Sequence, residues 1–295
     1  TTWDFGFSSG SDFRVILNSS NGMMAKALDK TDLNAVTAND TIGFGLQLSL
    51  DAVFAAITSD TPPSWVSEAI TWIDDPTGDL NGTAIAAISA TAAENKVYIV
   101  NRGSGPGSTP TELGWKKIRV VRKGKGYTLQ HADISATTFS EIQITKDSKY
   151  SFQYVSMATG AVEVEPATEK WDIAWTAFAN STNFGSGPVP YYFQDMILQN
   201  VSGVETAQVF TTDVAYENFT EANLDGIVFG TTQTNIGSSW RSGGGPGGGP
   251  SLRTDRFYLI KDADGNIFKL KFTALLQSGE RGKPAFDFEL VKGGS

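Results

Sequence analysis

The sequence predicts an all-β fold with one or two short helices per unit, built as two antiparallel β units in tandem. Three observations predict it. Short runs rich in Val, Ile, Thr, Tyr and Phe are punctuated by Gly, Pro, Asn and Asp, and long amphipathic stretches are few. A Trp-Asp dipeptide heads two similar stretches, Trp3-Asp4-Phe5-Gly6-Phe7 and Trp171-Asp172-Ile173-Ala174-Trp175, each leading to a polar segment, Asn18-Ser19-Ser20-Asn21-Gly22 or Asn180-Ser181-Thr182-Asn183. Each half then closes on a matching hairpin. Val97-Tyr98-Ile99-Val100 reads against Phe257-Tyr258-Leu259-Ile260, and residues 115–120 read against 267–272 without a gap. Motifs that recur in the same order set the domain count, here units 1–138 and 139–295.

The clearest element is the second hairpin. Phe257 to Lys261 and Ile267 to Phe272 flank Asp262-Ala263-Asp264-Gly265-Asn266, and Asp-Gly supplies the positive φ of a tight turn. On the return arm Phe268, Leu270 and Phe272 share one face, while Lys269 and Lys271 take the other. Residues 273–276 and 285–291 read as a further strand pair turned at 279–282. Residues 142–154 read as strand with a break at 146–149. The best helix signal is 64–73. Pro62 and Pro63 precede it, Ser64 is the expected cap, and Trp65, Ala69 and Trp72 make one apolar face. The Ala-rich stretch 84–94 is a second helix candidate.

Composition narrows the function. Asp and Glu number 32 against 23 Lys and Arg, a net charge of -9, which disfavours a nucleic-acid partner. The basic run 116–125 alternates with apolar residues and reads as the solvated face of a strand. With no Cys, thiolate catalysis and Cys-ligated metal sites are excluded. No unbroken apolar run reaches membrane-span length. The glycine-rich segments 103–107 and 241–250 read as loops, since no Gly-Lys-Ser/Thr follows either of them.

The inventory is poor for catalysis, and the chain reads as a binding protein rather than an enzyme. His131 is the only His, expected at a strand end, with a ligand role as the alternative. Asp262 to Asn266 begins like a calcium loop but has Thr273 at the twelfth position, so it reads as a turn. Asp74 and Asp75 read as a solvated turn beyond the helix, and Glu163 and Glu165 are carboxylate candidates by type alone. The four Met are better placed. Met23 and Met24 follow the first Trp-Asp segment, and Met196 follows the second, just after Tyr191 and Tyr192. A thioether is a soft haem-iron ligand, or else ordinary core filling.

Taken in series, these motifs resemble the HmuY family of haem-binding surface lipoproteins of Bacteroidetes. The residues that carry the likeness are Tyr150 to Tyr154, Lys170-Trp171-Asp172-Ile173-Ala174, Ser238-Ser239-Trp240 and the Asp255-Arg256-Phe257-Tyr258 hairpin. The first half is similar from Trp3 to about Asp133 but lacks the strands expected before Trp3. The resemblance implies a tandem of two HmuY-like units, haem held between loop-bearing projections, and delivery to an outer-membrane receptor. It also implies an outer-membrane surface or secreted location, with a lipid-anchored precursor.

Family members ligate haem through two His, or through Met in some relatives. A single His excludes the first arrangement here. The expected haem-contacting residues are therefore Met196, Tyr191, Tyr192, Met23, Met24 and Trp175, with Met196 and Met23 as iron ligands and Arg241 or Arg253 facing the propionates. The alternative is a cell-surface module that uses the same scaffold, without haem, for a glycan or protein ligand, with Trp175, Tyr191 and Tyr192 stacking on sugars.

Overall fold

A computed structural model describes residues 3–105, 111–185, 187–243 and 249–294. The two glycine-rich loops lie partly outside the described residues. The chain forms two compact units. The first comprises Thr1–Ala167 and Ala177–Gln194, and the second Thr168–Thr176 and Asp195–Ser295. The division therefore does not fall at residue 138. Residues 139–167 pack with the first unit, because the strands they form pair there.

Those pairings define two sheets. The strands of residues 1–167 are β1 (Phe5–Ser8), β2 (Val15–Leu17), β3 (Met24–Ala27), β4 (Val97–Asn101), β5 (Trp115–Lys123), β6 (Gly126–Ala132), β7 (Ser140–Ile144), β8 (Phe152–Ser156) and β9 (Gly160–Val162). One sheet has the order β2-β1-β8-β9 and the other β3-β4-β5-β6-β7. The break read at 146–149 separates β7 from β8, which join different sheets. β8 pairs antiparallel with β1, Phe5 opposite Val155 and Phe7 opposite Gln153.

Period-2 alternation builds two cores on the five-stranded sheet. Tyr98 and Val100 of β4 face a core shared with Phe5, Phe7, Val15 and Leu17 of the smaller sheet. Val97 and Ile99 face the opposite core, closed by helical segments. Helix α1 (Leu50–Ile57) is one of these, and sequence reading missed it. Its signal is Ser49, whose hydroxyl caps the Ala52 N–H ahead of an apolar run. Another is a 3₁₀ helix, Ser64–Trp72, where a helix was expected. Trp65 and Trp72 stack at 5.9 Å and anchor it. The Ala-rich stretch is not a helix beyond a turn at Ala92–Glu94. Ile85 is drawn into a bridge with Val15, and the Ala86 N–H donates to the Tyr98 hydroxyl.

Next in sequence come β10 (Ile173–Asn183) and β11 (Pro188–Gln199), which pair with each other, and the division between units falls within both. The second unit continues with β12 (Glu205–Phe210), β13 (Arg241–Ser242), β14 (Ser251–Leu252), β15 (Arg256–Lys261), β16 (Ile267–Gln277) and β17 (Glu280–Lys292). Its main sheet has the order β12-β15-β16-β17. The β15–β16 turn forms as read, with Gly265 at φ 82° and Asp262 accepting from the Asp264 and Asn266 N–H groups. Tyr258, Ile260, Leu270 and Phe272 face one core with Trp240, and Phe257 and Leu259 face the other with Phe219.

The aligned hairpins share their registers. Tyr98 stands opposite Ile118, and Ile99 opposite Lys117. Tyr258 stands opposite Leu270, and Leu259 opposite Lys269. Each Trp-Asp dipeptide is also held in the same way. Asn18 donates through Nδ2 to the Trp3 carbonyl at 2.8 Å and through its backbone N–H to that of Asp4 at 3.0 Å. Asn200 makes the same two bonds, to Trp171 at 3.0 Å and to Asp172 at 2.8 Å.

Candidate ligand site

The carboxylate candidates are structural. Asp74 is not a solvated turn residue, because it accepts from the Leu17 N–H at 2.6 Å and the Ala84 N–H at 2.9 Å, tying the end of the 3₁₀ helix to β2. Burial pushes its carboxyl up to about 7. Glu165 accepts from the Phe152 N–H and the Tyr154 hydroxyl. His131 sits near the end of β6, opposite Ile118 and Ser140, and burial followed by the nearby Lys116 charge lowers its pKa. Among the described residues no group of three or more His, Cys, Asp or Glu could hold a metal ion.

The methionines occupy cores. Met23 packs with Phe5 and Val100, while Met24 lies on the opposite face of the sheet with Ile99 and Trp72. Met196, in the second unit, is 0% exposed, and its methyl carbon lies 3.4 Å from where a Cβ on Gly237 would stand. Axial bonding to haem would require each of these cores to open. Arg241 is also buried, 3.7 Å from Asp195, so it is committed to that carboxylate. Arg253 is exposed and donates to the Arg241 carbonyl.

Exposed and half-buried aromatics converge elsewhere, within the first unit. Phe54 of α1, Phe184 of the β10–β11 turn and Tyr191 of β11 form a triangle. Ring centroids are 6.0 Å apart for Phe54–Phe184, 5.6 Å for Phe54–Tyr191 and 5.5 Å for Phe184–Tyr191. Phe193 extends the cluster, 5.3 Å from Tyr191. Phe54 and Phe184 are 43% and 50% exposed, high values for large apolar rings.

Local structure explains the arrangement. Val53 and Ile57 turn inward on α1, which leaves Phe54 facing out. Asn183 Oδ1 accepts from the Gly185 and Gly187 N–H groups at 2.7 and 3.2 Å and shapes the turn that carries Phe184. Tyr191 and Phe193 share one face of β11. Tyr192, on the other face, donates its hydroxyl to the Ser20 carbonyl at 2.6 Å and anchors the strand. Burial pushes the Tyr192 phenol up to about 12. The Tyr191 hydroxyl has no hydrogen-bond partner among the described residues.

Of the expected contacts, Tyr191 thus lies in the aromatic cluster and Tyr192 supports it. Met23 and Met24 lie in the two cores on opposite faces of the five-stranded sheet. Trp175 belongs to the second unit, 40% exposed beside Gly282. Phe54 and Phe184 escaped sequence reading because they stand 130 residues apart. The cluster is an open apolar platform with one free hydroxyl, suited to a flat ring system rather than to acid–base chemistry. A separate recess of about 130 Å³, lined by Ala86, Ile88, Tyr98 and Val120 among others, is too small for such a ligand.

No curated protein and no solved structure matches the chain. Residues 148–288 match the family described as HmuY protein. The match spans β8 to β17 and includes Phe184, Tyr191 and Phe193. Over these residues the chain is similar to the HmuY family.

Proposed function

We propose that the protein is a haem- or porphyrin-binding surface protein that takes the ring on the Phe54–Phe184–Tyr191 cluster. The observation that carries this reading is a cluster of four aromatic rings, Phe54 and Phe184 exposed and Tyr191 and Phe193 half-buried, three of which lie within the HmuY match. Iron coordination falls to the Tyr191 oxygen rather than to a methionine, because the thioethers are packed away and this hydroxyl is free. A phenol is an established haem ligand and loses its proton on binding ferric iron. The match of residues 148–288 to the HmuY family supports the haem reading, together with an outer-membrane or secreted location and a lipid-anchored precursor.

The shared registers and the paired Asn locks support two copies of one scaffold in the chain. The copies are not equal in this account. The platform belongs to the first unit, so one site per chain is expected. Mixing the protein with haemin, with and without dithionite, tests the proposal. A Soret shift in the ferric state that weakens on reduction supports Tyr191 ligation. A stronger ferrous response returns the assignment to methionine, and silence in both states dismisses haem. Trp175, 40% exposed, favours a glycan ligand as the second reading. Binding on a glycan array without a Soret shift would select it.

A further inference from the structure

β17 is the outer strand of its sheet, and its apolar side chains are uncovered. Phe286, Phe288 and Leu290 are 44%, 65% and 53% exposed. They share the face of Phe272, Leu270 and Phe268, which they oppose in register. Long, apolar sheet edges are templates for strand addition.

The first unit shows what covers the aligned strand. There β6 holds the place of β17, so that Leu129 opposes Val120 as Phe286 opposes Phe272. Leu129 is 0% exposed, in the core shared with Phe5 and Phe7 of the smaller sheet, and β7 pairs with β6 so that Ile142 stands opposite it. Ile144 likewise stands opposite Tyr127, whose ring packs on Phe7 and Phe13. Among the described residues β17 has no such neighbour.

We propose that β17 accepts a fifth antiparallel strand from a partner polypeptide, an extended segment alternating apolar and basic residues. The apolar positions would stand opposite Phe286, Phe288 and Leu290, as Ile142 stands opposite Leu129 on β6. The basic positions would meet Asp287 and Glu289, which are exposed on the opposite face. The same carboxylates disfavour a second copy of this chain. Antiparallel self-pairing centred on residue 287, 288 or 289 sets the carboxylates of the two copies against each other, and opposed like charges destabilise a strand pair. Pairing ends at Pro284, which has no N–H to offer. The proposal is independent of the haem reading.

The test uses the full chain and three labelled peptides, followed by fluorescence anisotropy. One is Val-Lys-Ile-Lys-Ile-Lys-Val, one has Glu in place of each Lys, and one is a scrambled version of the first. The alternating basic peptide is expected to bind at least tenfold more tightly than either of the others. Hydrogen exchange should show new protection across residues 285–292. Phe288→Lys, at an exposed position, should weaken binding at least tenfold. If that variant does not fold, exchange on the wild-type chain decides. No binding, equal binding of all three peptides, protection elsewhere, or a dimer formed through β17 would overturn the proposal.

Discussion

Lys117 and Lys269 hold the same register position in two different sheets, and each drives a buried ammonium between two loop carbonyls. Lys117 Nζ donates to Val36 and Ala136, both at 2.7 Å. Lys269 Nζ donates to Tyr216 at 3.0 Å and Phe219 at 3.1 Å, and meets Glu289 at 3.1 Å. The two side chains are 0% and 4% exposed. Such charged donors stabilise a fold mainly because removing them orphans buried acceptors. Lys117→Met is therefore expected to cost about 2–4 kcal/mol, read from urea denaturation, with Lys269→Met of similar size. A loss below about 0.5 kcal/mol at both sites would contradict the role given to these lysines.

The Asn locks make a parallel case. Asn200 also donates Nδ2 to the Thr168 carbonyl, and its Oδ1 accepts from the Ser202 N–H as Asn18 Oδ1 accepts from Ser20. Asn200→Ala should destabilise by about 2 kcal/mol, since several backbone groups lose partners at once. Asn200→Asp keeps the acceptor and loses the donors, so it should recover only part of that loss. Thermal melts of the two variants beside wild type would separate these outcomes.

Burial sets an unusual pH dependence. The Asp74 carboxyl lies at about 7 against an ordinary value of 3.8. Glu165 is raised by burial, and Asp172 is raised by burial and then by Asp262 and Asp264. In the first unit Arg102 stands at the position aligned with Asp262 and pairs with Asp4 at 2.7 Å. With a native pKa above the unfolded one, the folded chain binds more protons across the window from about pH 4 to about pH 7. The contribution of these groups is therefore greatest at the acid end and is lost as pH rises through that window. Melting temperatures at about pH 4.5 and about pH 7.5 should show the decline, and Asp74→Asn should flatten it.

Much of the fold was legible because it is local. The Asp-Gly turn and the alternation along β16 are short-range patterns that form as read, and the Trp65–Trp72 segment is helical as a 3₁₀ rather than an α-helix. The pairing of β8 with β1 was not legible, since no local signal joins segments nearly 150 residues apart. Asp74 was misread because its partners, Leu17 and Ala84, stand 57 and 10 residues away, beyond any turn pattern around it. At the candidate site, Tyr191 and Tyr192 were noticed as aromatic neighbours, but alternation along β11 gives them opposite roles. Methionine identity suggested ligands, yet burial in the cores is a property of position that residue type does not carry.

A haemin titration comparing wild type with the Phe54→Ala/Phe184→Ala pair tests the central claim most directly. Both rings are largely exposed, so folding should survive their removal. The expected result is a saturable Soret change at one haem per chain in wild type, and affinity at least tenfold weaker in the double variant. Wild-type protein that leaves the haemin spectrum unchanged, or binding that is indifferent to the loss of both rings, would contradict the account.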